Sequence, residues 1–237
     1  YPAHQGGENI LYSAFTERPK HLDPVQSYAE NEFVFVSQIY MPPLQYHYLK
    51  RPYELIPFAA AEVPRPVFFD TQNRRLADDA PAARVAYSVY DIRIRPGIRY
   101  QPHPAFARDE AGNFRYLSLA PGDLRAVHEL RDFAHTGSRE LVAEDYVFQI
   151  KRLAHPRLHS PIFGLMSETI LGMKQYAGEL ARAAEALPPG AYLDLNQFRL
   201  EGAEVLDDHT YRIRVKGKYP QFAYWLAMPF FSPIPWE

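Results

Sequence analysis

The sequence predicts a mixed α/β domain without the strand–helix–strand rhythm of a doubly wound parallel sheet. Three observations predict it. Residues 85–94 and 209–215 alternate apolar and polar side chains at the period of a strand. Residues 30–40, 143–154 and 160–187 repeat their apolar side chains at the period of a helix. Along the chain these signals run strand, helix, split strands, helices, strands. A length of 237 residues suits one large domain or two small ones, at roughly 100–200 residues per domain.

The elements follow in order. Residues 10–15 (ILYSAF) are a short apolar run and read as a strand. Leu22-Asp23-Pro24 is a loop, because Pro24 fixes its own φ and biases Asp23 away from helix. Residues 30–40 (ENEFVFVSQIY) fit both helix and strand. Phe33, Val36, Ile39 and Tyr40 at helical spacing favour helix, against the β-branched content. Met41-Pro42-Pro43 stops it. Pro52, Pro57, Pro64 and Pro66 force extended, irregular chain over 51–66. Residues 67–70 read as a strand end, and Asp78-Asp79-Ala80-Pro81 as a turn. Residues 85–94 (VAYSVYDIRI) carry the cleanest strand pattern, ended by Pro96-Gly97.

Residues 101–141 are polar and broken by Pro and Gly, with one short helix expected over 123–133. Such long stretches are usually functional or elaborated. Residues 143–154 (AEDYVFQIKRLA) are a strong helix. Glu144 and Asp145 sit in its first turn, Tyr146, Val147, Ile150 and Leu153 form its apolar side, and Lys151-Arg152 lie near its end. Ser160-Pro161 opens one long helix running to 187, closed by Pro188-Pro189-Gly190. Residues 203–206 and 209–215 read as a hairpin across Asp207-Asp208. The tail, 219–236, is dense in aromatics and proline.

Composition narrows the function. Apolar residues at 47% and charged residues at 23% are globular values. Lys+Arg of 26 against Asp+Glu of 28 leaves a net charge of −2, which argues against bulk nucleic-acid affinity. The absence of cysteine excludes disulfides, cysteine-ligated zinc, iron–sulfur clusters and a cysteine nucleophile. No apolar run reaches about 18 residues, so no membrane-spanning helix is expected. Pro 22, Tyr 17 and Phe 15 give many enforced loops and many flat amphipathic side chains. That composition suits a recognition surface and an aromatic core equally well. The chain begins Tyr1-Pro2-Ala3-His4, without Met or leader, and reads as processed or trimmed.

Catalytic and metal motifs give no positive signal. There is no G-x-G-x-x-G and no Gly-Lys-Ser/Thr. Ser167 lacks the flanking glycines of a nucleophile elbow. His128-Glu129 starts like H-E-x-x-H, but Asp132 stands where the second His belongs and His135 comes a heptad on. Pro156 breaks the helix that would align His155 with His159. The acidic pairs 78–79, 144–145 and 207–208 read as turns and a helix start. Arg93, Arg95 and Arg99, like Arg212, Arg214 and Lys216, read as solvated strand faces.

Three segments together resemble the family 5 extracellular solute-binding proteins, the peptide- and oligopeptide-binding receptors of bacterial ABC importers. Leu22-Asp23-Pro24 with Ile39-Tyr40-Met41-Pro42-Pro43-Leu44 is similar to their "L-D-P … iyepL" opening. Residues 90–100 (YDIRIRPGIRY) with Ala143-Glu144-Asp145-Tyr146-Val147-Phe148 and Lys151-Arg152 resemble "f-x-L-R-x-G-v-x-f … t-A-E-D-v-x-y-s-l-k-R". Residues 205–215 (VLDDHTYRIRV) with Ser232-Pro233-Ile234-Pro235 resemble "v-d-d-x-T-v-r-i-x-L … s-P-v-p". Three features depart from the pattern. Val142 replaces the usual Thr, the stretch from Tyr100 to Ala143 is much longer, and the family's later segments do not follow Pro235.

The resemblance implies a periplasmic-binding-protein type II-like fold: part of lobe I plus the inserted subdomain, with the second lobe absent. The divisions expected are 1–48 for the first part of lobe I, 49–203 for the inserted subdomain and 204–237 for the lobe I continuation. It implies a non-enzymatic, extracytoplasmic solute-binding component of an ABC import system, periplasmic or on the cell exterior, with a peptide as the expected ligand. Its partners would be a peptide or other small solute, an ABC permease and the second lobe of the same full-length protein, with no nucleic acid and no cofactor or metal. Ungapped spacing from L-D-P places the ligand-binding segment at Tyr28, Ala29, Glu30 and Asn31. Glu30 answers a ligand's amino terminus, or else is a helix-start acid. Tyr219, Phe222, Tyr224 and Trp225 are expected inside lobe I rather than along the cleft. Two other readings remain: a receptor-fold interaction or regulatory module without uptake, and an enzyme with its site in 101–141.

Overall fold

The structure is a computed structural model that describes residues 14–120, 122–188 and 190–237. Its centre is an antiparallel sheet of order β3-β4-β6-β5, built from Val67–Phe69, Tyr87–Arg93, Thr210–Lys216 and Ala203–Asp207. β4 and β6 pair over seven residues, from Tyr87 opposite Lys216 to Arg93 opposite Thr210. This register sets Ser88 against Val215, Tyr90 against Ile213 and Ile92 against Tyr211, all buried. The next residues along each strand lie on the other face, where Asp91 meets Arg212 through two bonds of 2.6 and 2.8 Å. The alternation in both sequences therefore specifies one wet and one dry face.

Helix α2 (Ala143–Arg152) covers the dry face. The Tyr146 ring stacks on Tyr211, centroids 5.2 Å apart and planes within 7°. The Tyr146 hydroxyl donates to the Met41 carbonyl at 3.1 Å. Val142 has no hydroxyl to cap the helix. The Asp145 carboxylate instead accepts the Val142 N–H at 3.0 Å, the carboxylate half of a capping box. Asp145 also holds Arg139 at 2.6 and 2.9 Å, and Arg139 holds Glu237 at 2.7 and 2.8 Å. One hydrophobic core runs from Val25 and Leu44 through Tyr90, Tyr146 and Tyr211 to Phe222 and Phe231. Residues from 14–48, 49–203 and 204–237 thus share that core, and β4 pairs with β6 across the last division.

Helix α1 (Glu30–Ile39) confirms the helical alternative for that run. The proline-rich stretch 51–66 is more regular than expected. Its β2 (Leu55–Pro57) forms a hairpin with β1 (Leu44–Tyr46). Pro57 falls at the strand's end, where a missing N–H is tolerated.

The expected 160–187 helix is two helices, α3 (Phe163–Thr169) and α4 (Met173–Ala186). The break leaves the helix ladder to join the sheet. Ile170 bridges Val215, and the Leu171 N–H donates to the Arg214 carbonyl at 3.0 Å. Gly172 then turns with φ +71°, a conformation that a side chain strains. The helix expected over 123–133 is also absent, leaving only a 3-10 turn, Leu130–Asp132. Leu124 and Leu130 remain exposed, so nothing there rewards an apolar helix face. The strand expected over 10–15 lies largely outside the described residues, and Ala14 and Phe15 are not in a strand. The last helix is the short α5 (Phe222–Trp225).

Tyr211 tests this packing. The chain's Tyr211 is fully buried, and its hydroxyl has no hydrogen-bond partner among the described residues. Tyr211→Ala is expected to cost about 3–5 kcal/mol by loss of the stacked ring. Tyr211→Phe is expected to stay within about 1 kcal/mol of the parent. Denaturant midpoints of the two variants check the difference.

Candidate functional site

The L-D-P loop turns on Asp23. Its carbonyl accepts the N–H groups of Gln26 and Ser27 at 3.0 and 2.9 Å. Its carboxylate faces the guanidinium of Arg152, with bonds of 3.0 and 2.5 Å. Arg152 also donates to Gln149 Oε1 at 2.9 Å, and Gln149 Nε2 donates to the Phe230 carbonyl at 3.1 Å. The end of α2 therefore holds the N-terminal loop and the C-terminal segment together. Between them the Tyr28 ring lies 6.3 Å from the Phe230 ring, tilted by 38°.

Of the four residues the sequence points to, the structure brings three to the surface. Tyr28 is 75% exposed, and Ala29 and Glu30 are exposed at the start of α1. The Glu30 side chain makes no hydrogen bond or ion pair among the described residues. Asn31 is half-buried and spends its Nδ2 on the Glu17 carbonyl at 3.2 Å.

Glu32, absent from that sequence reading, anchors the segment. It is buried, and its carboxylate accepts the N–H groups of Lys20, His21, Tyr28 and Ala29 at 2.9–3.2 Å. Burial pushes the carboxyl up, but the N–H donors of His21, Tyr28, Ala29 and Lys20 outweigh it and hold the group at about 2 instead of 4.5. The spacing Ala29-x-x-Glu32 is the acid half of a capping box, the one sequence signal that points to it.

The tail aromatics divide. Phe222 is buried in the core, as expected, and the half-buried Trp225 donates its Nε1–H to the Tyr219 hydroxyl at 3.3 Å. Tyr224 is 41% exposed and lines an open cavity of about 920 Å³ with Arg51, Tyr53 and Gln221. Tyr46 stacks on Tyr224 at 6.0 Å and meets Tyr53 edge-on at 5.7 Å. The Arg51 guanidinium lies 4.4 Å over the Tyr53 ring. Burial, then Tyr224 and Tyr53, push the Tyr46 phenol up. The Leu44 N–H donates to the Leu226 carbonyl at 3.1 Å, tying hairpin to tail. The hairpin was hidden in sequence by its prolines.

His128 and His135 are exposed in the 101–141 stretch and do not form an H-E-x-x-H helix. No group of three or more His, Asp or Glu side chains among the described residues could hold a metal ion. No described helix is long and apolar enough to cross a membrane.

No family model and no curated protein matches the chain. Solved structures do. A periplasmic oligopeptide-binding protein from Borrelia burgdorferi, OppAIV, superposes with a TM-score of 0.53 at 16% identity, covering 92% of this chain and 29% of that one. The fold is that of part of a substrate-binding protein. The Escherichia coli murein tripeptide binding protein MppA gives 0.52 at 14% identity, over 93% of this chain and 30% of that one. The pheromone receptor PrgZ, described with its mode of peptide binding, gives 0.52 at 14% identity, over 91% and 28%. The chain therefore spans less than a third of the structures it matches. These neighbours are binding proteins rather than enzymes.

Two measurements check the anchors. The folded Glu32 carboxyl lies below its unfolded value, so its contribution is complete above pH 4.5 and is lost as pH falls toward 2. Hydrogen exchange of the 20–29 amides is expected to rise over that interval. Glu32→Gln is expected to expose them at neutral pH and to cost about 2 kcal/mol. A double-mutant cycle of Asp23→Ala with Arg152→Ala is expected to give a coupling of about 1–2 kcal/mol.

Proposed function

We propose that this chain is part of the extracytoplasmic solute-binding component of an ABC import system, and that its ligand is a peptide. The observation that carries the reading is the fold shared with peptide-binding receptors over nine-tenths of the chain. The exposed start of α1 supports it. There Tyr28, beside Phe230, offers a flat amphipathic surface, and Glu30 offers a carboxylate unpaired among the described residues to a ligand amino group. Tyr28, Ala29, Glu30 and Asn31 form the ligand-contacting segment, with Asn31 fixing the chain before it.

Residues 1–48 and 204–237 belong to one lobe and 49–203 to a subdomain inserted in it. The second lobe comes from the rest of a longer receptor, which closes over the ligand by hinge motion. The peptide backbone is held as an added strand, so main-chain hydrogen bonds supply affinity and side-chain pockets stay permissive. The working compartment is the periplasm or cell exterior, and the membrane partner is an ABC permease.

Mass spectrometry of whatever the full-length receptor releases on denaturation tests the ligand class. Peptides are the expected result, and a non-peptide solute recovered consistently overturns it. Tyr28→Ala in the full-length receptor is expected to weaken peptide binding roughly ten-fold, the share of a well-packed aromatic contact. Isothermal calorimetry of the 237-residue chain is expected to show no micromolar binding, because losing several hydrogen bonds at about 1 kcal/mol each removes most affinity.

A further inference from the structure

The long 101–141 stretch, which the peptide-binding face leaves unused, borders a separate, partly open cavity of about 210 Å³. Its walls are apolar: Phe114, Tyr116, Leu119, Leu130 and Phe133 among them. The rings are fixed against one another. Tyr116 meets Phe133 edge-on at 4.9 Å, and Phe114 meets Trp236 edge-on at 5.3 Å. The Arg108 guanidinium covers the Phe114 ring at 3.9 Å.

Besides the Tyr116 phenol, two polar residues line this cavity, His103 and Glu237. His103 Nδ1 accepts the Ala105 N–H at 3.1 Å. In the neutral ring this leaves the proton on Nε2, a donor without a partner among the described residues. The Glu237 side chain is 3% exposed, and each of its oxygens already accepts one N–H of Arg139, at 2.7 and 2.8 Å. A carboxylate oxygen has a second lone pair, so Glu237 still accepts. Arg139 is shared with Asp145, so the trio carries one net negative charge. The Arg108 guanidinium over Phe114 balances that charge, so an anion would lose its hydration in an apolar cavity without a free counter-charge. A cation would set a donor against the His103 N–H.

We propose that this cavity is a second binding site, for a small neutral aromatic molecule carrying a hydroxyl group. The ring fills the apolar walls, the hydroxyl oxygen accepts from the His103 Nε2–H, and the hydroxyl donates a hydrogen bond to the Glu237 carboxylate. The volume limits the ligand to about one substituted ring, since a liquid water occupies about 30 Å³ and the site holds only several of that size. A site of this kind, apolar with a few convergent polar groups, is the usual form of a small-molecule pocket.

Ligand-observed saturation-transfer NMR on the full 237-residue chain tests it, with benzyl alcohol as the probe. Benzoate and benzylamine, close in shape but charged, serve as comparisons. Benzyl alcohol is expected to bind saturably, and benzoate and benzylamine about ten-fold more weakly or less. His103→Phe is expected to weaken benzyl alcohol roughly five-fold, the share of one hydrogen bond. His103→Phe also removes the acceptor for Ala105 and could loosen the loop. Leu130→Trp, at a 58% exposed position, fills the cavity instead and is expected to abolish binding. Absence of benzyl alcohol binding, equal binding of either charged analogue, or unchanged binding by Leu130→Trp overturns the proposal.

Discussion

The polar side of α2 is the constraint on which the rest of the structure depends. Asp145 caps the helix and grips Arg139. Gln149, fully buried, holds the backbone at Phe230, and Arg152 holds Asp23. The Gln149 and Arg152 contacts join α2 to chain 81 and 129 residues away, and Arg139 carries the Asp145 contact on to Glu237. A half-buried ion pair is worth little by itself, because desolvation offsets much of the attraction. Here its value is positional. Removing either partner strands a charge and frees a loop, and that loop carries Tyr28. The apolar side of the same helix, with Tyr146 on Tyr211, fixes the helix to the sheet. Packing sets the distance, and the polar contacts set what is held at that distance.

This arrangement brings together in space the short segments that carry the sequence resemblance. Asp23 from L-D-P and Arg152 from the end of the Ala-Glu-Asp helix are partners in space. The strands of YDIRIRPG and HTYRIRV are neighbours in one ladder. Ile234, in Ser-Pro-Ile-Pro, donates its N–H to the Asp145 carbonyl at 3.2 Å. Each segment is weak alone because its physical reason lies in another segment.

Where periodicity decides burial, the fold was legible. β4, β6, α1 and α2 fall where alternation and helical spacing put them. Where tertiary contacts override local preference, it was not. The helical pattern over 160–187 continues straight through Ile170-Leu171-Gly172, but the sheet captures the Leu171 N–H and bridges Ile170 to Val215. The pattern over 123–133 has nothing to pack on and stays in turns. Prolines mark both loops and edge hairpins, so β1 and β2 were read as irregular. At the candidate site, position along the chain pointed to residues 28–31. The buried carboxylate that shapes them came one residue later and speaks through backbone N–H groups, which carry no residue identity. Phe230 went unnoticed in a tail dense in aromatics, and Tyr224, expected inside the lobe, lies 41% exposed on an open cavity.

The β4–β6 ladder joins residues about 120 positions apart, and the Asp23–Arg152 contact spans 129. Both cross the 122–136 stretch, exposed apart from the half-buried Val127 and Phe133 and outside the core cluster. A protease that nicks the chain there severs its covalent path without touching a single rung of the ladder. The ladder and the shared core would still hold the two pieces together, which is the arrangement of a split protein whose halves complement each other.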